Sequence, residues 1–73
     1  MAVQIVMDHT GDSRHVFDSG DAESLANAEA RFKELTGRGF TAAVRARPGE
    51  VARVHSFDPV AEETLFYPRL VGG

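Results

Sequence analysis

The sequence predicts a small α+β domain in which a mixed sheet of four to five strands packs on one helix. Three observations lead to this fold class. Two segments alternate between apolar and polar residues around a turn, as the strands of hairpins do. Between them lies a segment with apolar residues at helical spacing, and a short β-prone segment follows near the end. A chain of 73 residues has room for one such domain.

The first element is a hairpin at the start of the chain. Val3, Ile5 and Met7 alternate with other residues, which predicts a strand over residues 2–8 with these three side chains buried. A turn cluster follows at residues 10–13, and residues 14–18 resume as a strand. We therefore expect a hairpin with about five turn residues.

The second element is a helix. Its signal is a set of apolar residues on one helical face: Leu25, Ala28, Phe32 and Leu35. Ser19 or Asp21 can cap the first free amides, and Gly37 is a natural C-terminal stop. The pattern predicts a helix from about Asp21 to Thr36.

A second hairpin is predicted over residues 40–57. Pro48-Gly49 suits the central positions of a type II turn, which places Arg47 opposite Glu50 and Val44 opposite Arg53. Type II turns match the twist of a tight hairpin poorly, so a bulge is an alternative. The expected core face comprises Phe40, Ala42, Val44, Ala46, Val51, His55 and Phe57, with Val54 on the outer face.

The last segment reads as a turn followed by a strand. Asp58-Pro59 predicts one helical turn through residues 61–63. Residues 64–67 are apolar on both faces, which is typical of a central strand, and Pro68 is expected to end its pairing. The domain then spans residues 1–67 and an extended, flexible tail spans residues 68–73. This element order is that of the β-grasp (ubiquitin-like) fold.

The final residues resemble the end of ubiquitin-like diglycine proteins. Thr64-Leu65 opens the last strand as in ubiquitin, and Arg69-Leu70 precedes a spacer and the pair Gly72-Gly73. The aromatic residues before Pro68 are similar to the last strand of the molybdopterin synthase small subunit, a member of the sulfur carrier group. The chain as a whole most resembles the small diglycine proteins of bacterial ubiquitin-like conjugation systems.

The resemblance implies a modifier rather than an enzyme. A ubiquitin-activating-like adenylyltransferase would use ATP and Mg to adenylate the carboxylate of Gly73, and a conjugating enzyme would pass it to a target amine. Glycine at position 72 suits a narrow channel, because it has no Cβ. Four residues could dock in extended form on that enzyme: Pro68, Arg69, Leu70 and Val71. A deconjugating protease is a further possible partner.

Two other functions remain open. As a sulfur carrier, the chain would receive sulfur from a sulfur-transfer enzyme and hold it as a thiocarboxylate at Gly73 for cofactor or thionucleoside synthesis. As a non-conjugated β-grasp adaptor, it would bind partners through its sheet and never use its terminus. The resemblance to ubiquitin also predicts that Phe66 points outward, so that Val6, Ala43 and Phe66 form an apolar partner patch.

Composition excludes several other classes. A net charge of −3 disfavours general nucleic-acid binding, and the absence of cysteine excludes disulfides and thiolate metal sites. His9, His15 and His55 are dispersed without metal-ligand spacing, and the triad letters Asp8, His9 and Ser13 lack an oxyanion device. We expect no bound cofactor, no metal and no membrane association. With neither a signal peptide nor a spanning segment in the sequence, we expect a cytoplasmic protein.

Overall fold

A computed structural model describes residues 1–47 and 49–68 and shows one helix packed on a five-stranded mixed sheet. The elements, in chain order, are β1 (Ala2–Asp8), β2 (Gly11–Phe17), α1 (Ala22–Gly37), β3 (Phe40–Arg47), β4 (Glu50–Val54) and β5 (Glu63–Pro68). The predicted α+β class and the order of its strands and of its main helix are therefore confirmed.

The sheet places the last strand at its centre. The strand order is β2-β1-β5-β3-β4, with β1 and β5 parallel and the other neighbours antiparallel. The prediction that the last strand is central is confirmed, since it lies between the first and third strands. The central position of β5 agrees with its burial, because Thr64, Leu65 and Phe66 are all buried although they lie on alternate sides of the strand.

The first hairpin is tighter than predicted. Asp8 pairs with Gly11, so only His9 and Thr10 form the loop, and residues 12 and 13 belong to β2. The Asp8 carboxylate accepts hydrogen bonds from both the backbone N–H (2.8 Å) and the hydroxyl of Thr10. Gly11 has φ of 125°, a conformation that glycine adopts without steric penalty. Local side-chain hydrogen bonds thus shorten a turn that composition alone suggested was longer.

The helix begins and ends close to its predicted limits. Asp21 is the N-cap, and its carboxylate accepts a hydrogen bond from the Ser24 N–H at 2.9 Å. Gly37 is the last helical residue, and Gly39 then takes the positive φ that turns the chain into β3. Ala28, Phe32 and Leu35 are buried as the spacing predicted.

The second hairpin contains a bulge that changes its register. Arg47 pairs with Glu50 as predicted, and Gly49 has the expected positive φ, whereas Pro48 lies outside the described residues. The register shifts between Arg45 and Arg47, so Val44 pairs with Ala52 instead of Arg53.

Because a one-residue shift exchanges the faces of a strand, the predicted faces of β4 were wrong. Val54 pairs with Ala42 and packs against the core, and Val51 is 49% exposed. The predicted helical turn before β5 was also wrong. There the Asp58 side chain accepts a hydrogen bond from the Val60 N–H at 3.0 Å, and a simple turn leads to Glu63.

The core lies between the sheet and α1 in two connected clusters. One contains Val6, Phe32, Leu35, Ala42 and Phe66, and the other contains Ala2, Phe17 and Ala28. Phe57 joins them, because its ring lies 6.0 Å from that of Phe32 and 6.1 Å from that of Phe17. The ring of Phe66 meets Phe32 edge to face at 5.7 Å. The aromatic residues thus form a continuous chain across the core.

The helix-facing side of β1 is the opposite of the predicted one. Gln4 is fully buried, and its Nε2 donates to the Ala28 carbonyl at 2.9 Å. Its Oε1 accepts a hydrogen bond from Arg31 at 3.0 Å. Gln4 therefore faces α1, and strand alternation places Val3, Ile5 and Met7 on the other side of the sheet. These three contacting residues, Gln4, Ala28 and Arg31, are here called the glutamine clamp.

Removal of the glutamine clamp is expected to destabilise the domain. In Gln4→Leu the volume is kept but the Ala28 carbonyl and the Arg31 guanidinium lose their partner, at a cost of about 1–3 kcal/mol. Urea unfolding measures the loss. Arg31→Ala serves as the second arm of a double-mutant cycle, and the double variant should lose less than the two single losses added together. Strict additivity would contradict the coupling.

Candidate functional site

The strand that leads to the diglycine sequence is the central strand of the sheet. β5 pairs with β1 as far as Phe66 and with β3 as far as Pro68, which lies opposite Phe40. Pro68 therefore belongs to the strand, one residue beyond the predicted end. A proline removes one ladder donor, and it stands here where only β3 remains in register with β5.

The predicted conjugation residues follow this strand directly in sequence. Gly72 and Gly73, together with the predicted docking residues Arg69, Leu70 and Val71, lie outside the described residues. Their roles therefore stay predictions. Pro68, the first predicted docking residue, is exposed at the end of β5.

The predicted partner patch was wrong. Val6 and Phe66 belong to the core cluster beneath α1, and Phe66 is 0% exposed. Ala43 lies on the side of the sheet away from the helix, as predicted, but it is also fully buried. The three residues do not share a face, and none is available to a partner. The physical reason is the inward position of Phe66, which fills the space against Phe32.

The side of the sheet away from α1 is here called the open face. It carries the strand residues that alternate with the core residues. The pairings place two half-buried apolar side chains of β1, Val3 and Met7, next to β5, which contributes the half-buried Tyr67 to the same face. Ile5 and Leu65 lie opposite each other between them. The open face therefore presents Met7 and Tyr67 at the same end of the sheet as Pro68.

Arginines surround this apolar centre. Arg14 pairs with Ile5 on one side, and Arg53 pairs with Ala43 on the other. Four interstrand spacings separate β2 from β4, which puts the two Cα atoms roughly 19 Å apart. A third arginine of this face, Arg45, forms an ion pair with the carboxylate of Glu63 at 3.6 Å. The open face thus combines an apolar centre with an arginine on each flank, and on β2 Asp12 lies beside Arg14.

A shallow groove lies at the end of the sheet where β5 terminates. Its volume is about 340 Å³, and its lining includes Thr36, Phe40, Thr41, Val54 and His55. The guanidinium of Arg38 stands 6.0 Å from the centroid of the Phe40 ring. Because Phe40 pairs with Pro68, the groove adjoins the base of the segment that contains the diglycine pair.

The Asp8 carboxylate has a structural role. The hydroxyl and the backbone N–H of Thr10 hold the pKa of Asp8 below its ordinary value, because both hydrogen bonds favour the charged form. The turn gains stability above the ordinary pKa and loses it as the pH falls through the lowered one. Asp8 thus stabilises the β1–β2 turn, which leaves the triad letters without a carboxylate to orient His9, the residue that would act as the general base.

Neither metal-binding clusters nor membrane spans are found in the described part of the chain. Residues 1–47 and 49–68 contain no group of three or more histidine or carboxylate side chains arranged to hold a metal ion. Within the same residues, no helix is long and apolar enough to cross a membrane.

Comparisons of the chain with family models, with curated proteins and with solved structures found no match. The functional interpretation therefore depends on the residues themselves. Sequence reasoning missed Met7 and Tyr67 as members of an accessible face, because it buried Met7 and turned Phe66, rather than Tyr67, outward. The signal that could have found them is Gln4. Its contact with Ala28 shows which alternate residues of β1 face the helix, and the β1–β5 pairing then shows the same for β5.

Proposed function

We propose that this chain is a small ubiquitin-like protein modifier whose Gly73 carboxylate is adenylated by an activating enzyme and transferred to a target amine. The observation that carries the proposal is the course of β5. The central strand of the sheet ends at Pro68, and the sequence continues with five residues that finish in a glycine pair. The proposal requires a free carboxylate at Gly73, whether the chain ends there or a protease exposes it.

The layout of the domain supports the ubiquitin-like part of the proposal. Its parallel first and last strands, its central β5 and its single helix are consistent with a β-grasp fold. In such a layout the segment after β5 leaves from the middle of the sheet. A partner can therefore contact the open face and receive that segment at the same time.

The chemistry is divided between the modifier and its partners. A Gly73 carboxylate oxygen attacks the α-phosphorus of ATP, pyrophosphate leaves, and an acyl-adenylate forms in the activating enzyme, which supplies the magnesium. An enzyme thiolate then displaces AMP to give a thioester. A target amine next attacks the thioester carbonyl and releases the thiolate, which leaves an amide bond. ATP dependence also supports a cytoplasmic setting for the pathway.

The open face is the docking surface that the geometry supports. Met7 and Tyr67 lie beside the exit of β5, and Arg14 and Arg53 flank the apolar centre. An activating enzyme would contact these residues with an apolar surface that has acidic margins. This surface replaces the buried patch that the sequence predicted.

A sulfur carrier is the second candidate. The observation that favours it is the aromatic pair Phe66-Tyr67 followed by Pro68 at the end of β5, which is similar to the small subunit of molybdopterin synthase. Activation by adenylation would be the same. A persulfide would then displace AMP, and reduction by a second thiol of the sulfur-transfer enzyme would leave a thiocarboxylate on Gly73.

Intact-mass measurements separate these functions. The chain is incubated with a ubiquitin-activating-like adenylyltransferase of the same organism, ATP, magnesium and an extract of its own cells. The modifier function predicts ATP-dependent products in which Gly73 is joined to an amine. A thiocarboxylate, in which sulfur replaces one oxygen of the Gly73 carboxylate, supports the carrier instead. A variant without Gly72 and Gly73 is the control. If it gives the same products and binding, both tail functions are wrong and the adaptor function remains.

A further inference from the structure

The edge formed by β2 is available for strand pairing. Two of the described strands lie at the edges of the sheet, β2 and β4, and edge strands offer unpaired backbone groups to other chains. β4 has five residues and belongs to the bulged hairpin, which are two common ways to blunt an edge. β2 has seven residues in unbroken register with β1 and contains neither proline nor lysine.

Two opposite charges stand on this edge strand at matched positions. Asp12 and Arg14 both lie on the open face, because they alternate with Ser13 and His15, which line a groove against α1. Both side chains are exposed, and in the described part of the chain neither makes an ion pair within 4.0 Å. The charges of β2 are therefore complementary to those of a second, antiparallel β2 when the two strands are centred on Ser13.

We propose that β2 pairs in antiparallel fashion with β2 of a second copy of this chain. The two-fold axis passes between the Ser13 residues, so Asp12 of each copy lies opposite Arg14 of the other. Opposite charges that face each other on neighbouring strands stabilise the pairing, and the symmetry forms the pair twice. This inference does not depend on the proposed function of Gly73.

The charges select one register. A shift by one residue would turn the open face of one copy against the helix-facing side of the other. A shift by two residues keeps the faces but brings Arg14 against Arg14, or Asp12 against Asp12, and like charges oppose pairing. The hairpin agrees with the chosen register. Because Asp8 and Gly11 are the pair next to the loop, the odd-numbered residues of β2 direct their N–H and C=O groups toward β1. The N–H and C=O groups of Asp12 and Arg14 therefore point outward from the edge, where a second strand can bind them.

The resulting dimer has a continuous ten-stranded sheet and leaves the end of β5 free. β5 is the third strand from the β2 edge, so the joint does not cover Pro68. One pair of seven-residue strands buries less than the roughly 1,200 Å² of a standard stable interface. We therefore expect a Kd between about 10 μM and 1 mM.

Sedimentation equilibrium of the full chain, from about 10 μM to about 1 mM, tests the proposal. The mean molar mass should rise with concentration from 7.9 kDa toward twice that value. Asp12→Arg and Arg14→Asp should each weaken the dimer at least about tenfold, because each replaces both attractive pairs by repulsive ones. An equimolar mixture of the two variants should dimerise again, since one chain then offers two arginines and the other two aspartates.

Arg53→Asp is the matched control, because it makes the same change in charge on β4, at the opposite edge. It should leave the Kd within about threefold of the unmodified chain. Three results would each overturn the proposal: a monomer at every concentration, a mixture of the two charge variants that stays monomeric, or equal weakening by Arg53→Asp.

Discussion

Replacement of Phe66 by alanine is expected to lower the free energy of unfolding by about 3–5 kcal/mol. Phe66 is 0% exposed, and its ring lies 5.7 Å from that of Phe32 within the larger core cluster. The core of a domain of this size rarely supplies more than about 3–5 kcal/mol. The variant should therefore be largely unfolded without denaturant. Far-UV circular dichroism during urea titration measures the effect.

Val16→Ala is the control for this prediction. Val16 is 64% exposed on the open face, so its truncation should change stability by less than about 0.5 kcal/mol. The same comparison separates the two orientations of β5. If Phe66→Ala were as stable as Val16→Ala, Phe66 would point outward, as the resemblance to ubiquitin predicted, and the core described above would be wrong.

The positions of the elements could be predicted because their signals are local. The helix is specified by apolar residues three and four positions apart and by the carboxylate of Asp21, whose hydrogen bond spans three residues. The strands are specified in the same way by β-prone segments between turn residues. Errors at their ends, as at Pro68, arise because strand pairing is decided by neighbouring strands.

The faces of β1 and β5 could not be predicted, because the signals that decide them are distant in sequence. β1 and β5 are apolar on both sides, so their alternation does not say which side meets the helix. Gln4 decides it by a hydrogen bond to Ala28, which is 24 residues away. The predicted partner patch was wrong for this reason, because it required Val6 and Phe66 to lie on the side of the sheet away from the helix.

The faces of β4 depended on a single irregularity. The bulge between Arg45 and Arg47 moved Val54 from the predicted outer face to the core and left Val51 exposed. A bulge was one of the two alternatives at this turn, and the sequence alone did not decide between them. The conjugation motif is the reverse case, because a glycine pair is recognised from adjacent residues without knowledge of the fold.

Replacement of Gly72 by valine should block activation while the domain stays folded. Glycine suits a channel in which a Cβ would clash, and a side chain at position 72 would displace the Gly73 carboxylate from the α-phosphate of ATP. A misplacement of about 1 Å of a reacting group can cost about a hundredfold in rate. We therefore expect ATP–pyrophosphate exchange by the activating enzyme to fall at least about a hundredfold. The exchange rate of Gly72→Ala should lie between the rate of Gly72→Val and that of the unmodified chain.

Gly37→Val makes the same chemical change where a side chain has room. A Cβ at Gly37, the last residue of α1, meets no atom within 4 Å, so this variant should be activated at a rate close to that of the unmodified chain. Activation of Gly72→Val at the normal rate would contradict a narrow channel. Activation that survives removal of both terminal glycines would go further, because the modifier and the sulfur carrier both require the Gly73 carboxylate. Gly72→Val therefore tests whether the channel is narrow. Removal of Gly72 and Gly73 tests whether the chain is activated at its terminal carboxylate at all.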